Sequence, residues 1–103
     1  MLNIAICDDD PIFLEKFQHL LQVTFLEHSY KLEIDIYVKG KDLIEKIEKE
    51  KIEYDIIFLD IEMPILNGFQ VAEKLRALDN KSILLFITNL DNEAPKGYHY
   101  QAV

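Results

Sequence analysis

The chain has 103 residues, half of them hydrophobic and 29% charged, with 11 Lys and Arg against 19 Asp and Glu for a formal charge of -8. This describes one globular domain, too apolar for intrinsic disorder and too poor in Gly and Pro for a collagen-like or linker chain. The acid excess repels phosphates, so no direct contact with nucleic acid is expected; no run reaches the roughly 18 to 20 apolar residues of a membrane helix, and no cleavable leader follows Met1. A cytoplasmic protein without membrane contact is expected.

Residues 2–7, LNIAIC, read as a short apolar strand that stops at Asp8, Asp9 and Asp10. Pro11 suits the first position of a helix and Asp10 its N-cap, so Asp10 is read as a cap and not a ligand. Phe13, Leu14, Phe17, Leu20, Leu21 and Phe25 then recur at spacings of three and four and predict an amphipathic helix ending near His28, with this face in the core. Leu32, Ile34, Ile36 and Val38 alternate with Glu33, Asp35 and Tyr37, the period of a half-exposed edge strand. Gly40 breaks it. Leu43, Ile44 and Ile47 predict a short helix closing around Lys51, its mixed charges solvated.

Residues 56–59 form a continuous apolar run, as in a strand covered on both faces, and end in Asp60. Met63, Pro64, Asn67 and Gly68 are loop residues, and Val71, Ala72, Leu75 and Leu78 have helical spacing up to Asp79 and Asn80. Residues 82–88, SILLFIT, predict another buried strand. The alternation of strand and helix implies an α/β fold with a doubly wound, mainly parallel sheet and right-handed crossovers. Beyond Thr88 the pattern loosens, and residues 98–103 suit either a helical turn or the start of a strand.

In an open α/β sheet the working surface lies at the carboxyl ends of the strands. Asp8, Asp9, Asp60 and Thr88 converge there. Three gathered carboxylates repel one another, and a hard divalent cation resolves the conflict; Mg²⁺, with its octahedral oxygen shell, fits that donor set. Such an ion would prepare Asp60 for attack on an arriving phosphoryl group, with Thr88 donating a hydrogen bond to it. Singly, each aspartate is a common turn or capping residue and Thr88 an ordinary strand residue. Cys7, the only cysteine, reads as a small buried residue without catalytic duty. His19 and His28 read as surface or capping residues, while His99, Tyr98 and Tyr100 belong either to a signalling face or to packing.

The strings IAICDDDP, FLDIEMPILNG and LLFIT resemble, in order and spacing, the receiver domain of two-component response regulators. The resemblance implies a flavodoxin-like fold over residues 1–103. It implies Asp60 as phosphoacceptor, Thr88 as switch hydroxyl, and Asp8, Asp9, Asp60 and the Glu62 backbone carbonyl as Mg²⁺ ligands. Met63, Pro64 and Gly68 resemble the loop shaping the pocket rim. A sensor histidine kinase is the implied partner, and the module signals; it is not an enzyme.

The tail NEAPKGYHYQAV resembles receivers of the LytR/AlgR kind, which implies a parent regulator contacting DNA through a LytTR output domain outside this segment. Receivers usually continue into a fifth strand carrying Lys-Pro and a fifth helix, and these are expected to be absent, so that the sheet is incomplete at its C-terminal end. Neither Lys81 nor Lys96 has the context to replace that lysine. Strand four is then expected to be an open edge, with homodimers forming through it or through the tail. Two other classes remain open: a Mg²⁺-dependent phosphohydrolase of the haloacid dehalogenase type, which usually has Asp where Glu62 stands, and a receiver-like module that takes no phosphate.

Overall fold

The computed structural model describes residues 1–78, 80–89 and 98–102. The element order is β1 (Leu2–Cys7), α1 (Pro11–Glu27), β2 (Leu32–Tyr37), α2 (Gly40–Glu50), β3 (Ile56–Asp60), α3 (Gly68–Ala77), β4 (Ile83–Asn89) and β5 (Tyr98–Ala102). The strands form one sheet in the order β2-β1-β3-β4-β5, and the first four are parallel. This is the expected flavodoxin-like arrangement, with β2 at an edge.

Alternate residues of the central strands feed two cores. Ala5, Cys7, Ile57, Leu59, Leu84 and Phe86 pack with Leu43 and Ile47 of α2 and Val71 and Leu75 of α3. Ile4, Ile6, Phe58 and Ile87 face the other way, onto Phe13, Leu14, Phe17 and Leu21 of α1. Covering on both faces is why these strands read as unbroken apolar runs. Leu20 departs from expectation: it is 54% exposed, whereas Phe13, Leu14, Phe17 and Leu21 are buried against the sheet. On β2, Leu32 and Ile34 pack against the α1 core, whereas Ile36 is exposed.

The strand has ended by Tyr37, and Gly40 is buried at the first position of α2. Lys51, with φ 54°, ends that helix in the left-handed conformation.

The edge of strand four requires a correction: Tyr98–Ala102 covers it antiparallel, pairing Leu85 with Ala102 and Asn89 with Tyr98, and this is not the Lys-Pro strand expected to be absent. The outer N–H and C=O groups of β4 need partners, and YHYQA supplies them from the same chain. Only residues 90–97 separate the two strands, and a parallel crossover needs about a dozen or more residues. Strand four is therefore not an open edge. Asp79, Pro95, Lys96, Gly97 and the polar stretch 90–93 lie outside the described residues.

Candidate metal and phosphoacceptor site

Parallel register brings the acidic residues together. Cys7 is the register partner of Leu59, so Asp8 and Asp60 follow side by side on adjacent strands. Asp60 in turn pairs with Ile87, which places Thr88, buried, one residue further along β4. Asp8, Asp9 and Asp60 each offer a carboxylate oxygen within 4.8 Å of the others. The three aspartates and Thr88 thus share the carboxyl rim, as expected.

Local turns fix two of the carboxylates in the same way. Asp8 Oδ1 accepts the Asp10 N–H at 2.9 Å, and Asp60 Oδ1 accepts the Glu62 N–H at 3.1 Å. Each aspartate thereby closes a turn with the residue two positions on. Asp10 is the N-cap of α1, accepting from the N–H groups of Ile12 and Phe13, with Pro11 behind it. The sequence pattern for the cap and for the acidic pair is therefore met by different members of one Asp triplet.

Asp8 Oδ2 is buried without a hydrogen-bond partner among the described residues. Burial raises the Asp8 carboxyl to about 6, although the Asp10 N–H opposes this and Asp9 repulsion adds to it. Burial, followed by repulsion from Asp8, pushes Asp60 up to about 8. A buried carboxylate oxygen with no donor among the described residues, beside two more carboxylates, is a poor arrangement for a metal-free protein. It is a good one for a hard cation: all the donors are oxygens, and Asp9 is exposed, which keeps the rim open to water. The residues therefore fit Mg²⁺.

Beneath the rim, burial and then the charges of Asp8 and Asp60 push the Cys7 thiol up to about 12. Its S–H donates to Met63 Sδ at 3.8 Å, and Met63 is buried. Cys7 is thus a packing residue with an inert thiol. The rim loop continues through Pro64 to Ile65, which has φ 70° and is 94% exposed, with the Leu66 N–H donating to the Pro64 carbonyl at 2.8 Å. Asn67 then caps α3, exchanging side-chain and backbone bonds with Gln70 at 2.9 Å.

Lys81 lies exposed before the amino end of β4, the opposite end from Thr88, and is not at the rim. Sequence reasoning passed over a second polar chain at β2. The Tyr54 hydroxyl donates to Asp35 Oδ2 at 2.6 Å and meets the Tyr37 hydroxyl at 2.6 Å. Burial drives both phenols above their ordinary range. That Asp35 and Tyr37 share one face of the strand follows from the alternation, but their meeting with Tyr54 is a tertiary event.

Residues 4–102 match the family model of the response regulator receiver domain. The chain belongs to that family. Among curated relatives, this receiver is 28% identical over its whole length to the sensory transduction protein LytT of Bacillus anthracis, covering 39% of that protein. It is 31% identical to the transcriptional regulatory protein PcoR of Escherichia coli, across 93% of this chain and 39% of PcoR. A CheY-like receiver from Methanospirillum hungatei superimposes with a TM-score of 0.73 at 21% identity, over 92% of this chain and 70% of that one.

The receiver spans about two fifths of LytT and PcoR. Its function is that of two-component phosphoacceptor signalling, and the phosphohydrolase reading gives way to it. The likeness to LytT agrees with the LytR/AlgR character of the tail.

Proposed function

We propose that Asp60 accepts a phosphoryl group from the phosphohistidine of a sensor histidine kinase. Asp8, Asp9, Asp60 and the Glu62 main-chain carbonyl would hold Mg²⁺. When bound, the ion balances the carboxylates and draws charge from the phosphoryl oxygens. The Asp60 carboxylate oxygen attacks phosphorus, the P–N bond to histidine breaks with its electron pair returning to the ring, and an acyl phosphate remains on Asp60. The Glu62 N–H on Oδ1 orients the carboxylate for that attack. The acyl phosphate carries about -2 where the carboxylate carried -1, and Thr88, at the end of the neighbouring strand, donates its hydroxyl to the new oxygens.

The observation that carries this reading is the convergence of three carboxylates on one rim, one of them with a buried, unpartnered oxygen. Full-length protein given Mg²⁺ and acetyl phosphate is expected to gain one phosphoryl group, mapped to Asp60 by mass spectrometry and abolished in Asp60→Asn. No gain in the wild type would overturn the assignment.

The domain acts as a switch and not as an enzyme, in the cytoplasm, as part of a transcriptional regulator whose DNA contacts lie outside this segment. Among the described residues no helix is long and apolar enough to cross a membrane. With β4 covered, homodimerisation uses the tail strand β5, which is the last strand of the sheet on that side among the described residues. Sedimentation is expected to show concentration-dependent dimers that weaken when a proline replaces Gln101; a strictly monomeric protein contradicts this.

A further inference from the structure

Gly68 opens α3 and is buried. A Cβ at this position would lie 2.5 Å from the carbonyl oxygen of Asp60, 2.9 Å from its carbonyl carbon and 3.0 Å from Ile61 Cα. All three are backbone atoms, and two belong to the residue whose carboxylate joins the acidic cluster. Packed atoms resist approach this close, so a side chain here must force apart the first turn of α3 and the Asp60 peptide.

The seat is fastened on several sides. The Gly68 N–H donates to the Ile61 carbonyl at 3.1 Å, and the Ile61 N–H donates to Ile87 on β4 at 3.0 Å. The Asn67–Gln70 capping box fixes the start of the helix. α3 cannot drift outward without losing these bonds, so the displacement is transmitted to Asp60. There the Glu62 N–H holds Oδ1 of the carboxylate.

We propose that Gly68 is a positioning residue for Asp60: its missing side chain lets α3 press directly on the acceptor's own peptide and fixes where the carboxylate stands against Asp8 and Asp9. The inference rests on the reading of Asp60 as acceptor. Gly40 supplies an internal comparison. A Cβ there would also collide, but with Val71 Cγ2, a side-chain atom in the contact between α2 and α3. Both glycines serve packing, and only Gly68 touches the acceptor's backbone.

The test compares Gly68→Ala with Gly40→Ala in the full-length protein. Thermal unfolding, Mg²⁺ affinity by calorimetry, and the rate of phosphoryl gain at saturating Mg²⁺ and acetyl phosphate are measured for each. Both variants are expected to melt lower. Gly68→Ala alone is expected to bind Mg²⁺ about tenfold more weakly, the scale seen when a ligand's support is lost. Its saturated rate is expected to fall at least about tenfold, since small misplacements of a reacting group are costly. Gly40→Ala keeps both values within about twofold, its clash falling on a distant side chain.

If Gly68→Ala does not fold unaided, the same readings are taken in sucrose, which favours the compact state. A Gly68→Ala protein that melts lower yet binds Mg²⁺ and gains phosphate like wild type overturns the proposal alone. A wild type that gains no phosphoryl group overturns the acceptor reading and this one with it.

Discussion

Asp8 and Asp60 are held at a cost that only their company explains. Both carboxyls are raised, to about 6 and about 8, from an ordinary value of 3.8, chiefly by burial. A raised folded-state value means the folded chain binds the proton more tightly than the unfolded chain does. Their contribution to stability is therefore complete below the ordinary value and is lost as pH rises through 6 and then 8. Metal-free Asp60→Asn is expected to exceed wild type by about 1–2 kcal/mol near pH 8, after discounting for partial exposure, and by almost nothing near pH 4. Urea unfolding at the two pH values measures the difference. An equal difference at both would mean that the Asp60 carboxyl is not raised.

That the three aspartates end up together follows from strand ends that are plain in the sequence: apolar runs stopping at Asp8 and at Asp60. What the runs do not carry is burial atom by atom. Within Asp8-Asp9-Asp10 one side chain leaves a buried oxygen unpartnered among the described residues, one is exposed and one is a cap, a division that appears only in the folded chain. Gly68 reads as a loop residue from its neighbours, and its contact with the Asp60 peptide exists only once α3 has docked.

Among the elements, α1 owes its start to Asp10 and Pro11. Neither residue before nor after them offers a side-chain cap to Ile12 and Phe13. Asp10→Ala is expected to cost about 1 kcal/mol of stability, the usual worth of an N-cap, while leaving Mg²⁺ affinity within about twofold. Chemical denaturation and calorimetry check the two halves separately. A large loss of Mg²⁺ affinity would show Asp10 to be a ligand instead. At the other end of α3, Arg76 donates to the Asn80 and Ser82 carbonyls and ties the helix to the entry of β4.

The four parallel strands and three helices were legible because each has a local period or a punctuating residue. β5 was not, because YHYQA carries no decisive period and its strand character comes from the unpaired edge of β4, a partner distant in kind if near in sequence. Leu20 shows the converse error: helical spacing marks a candidate face, but only docking decides how much of that face is covered. Gly40, which separates strand from helix as its sequence context predicts, also opens the helix, close against Val71.

At the scale of the whole molecule, the parallel sheet converts separate sequence positions into one chemical rim. Its two cores hold β1, β3 and β4 rigid from both faces, so the rim is fixed by the best-packed part of the domain. The rim is also where net charge is most concentrated against itself, in a chain already at -8. Function and instability therefore share an origin: the same gathered acid that weakens the metal-free fold is what binds the ion and receives the phosphoryl group.

The most direct test is titration calorimetry with Mg²⁺ on the full-length protein near neutral pH, wild type beside Asp9→Asn. One ion is expected per chain, with affinity in Asp9→Asn lower by at least about tenfold, since even residues that merely support a ligand are worth that much. A wild type without Mg²⁺ uptake, or an uptake indifferent to Asp9, would contradict the account.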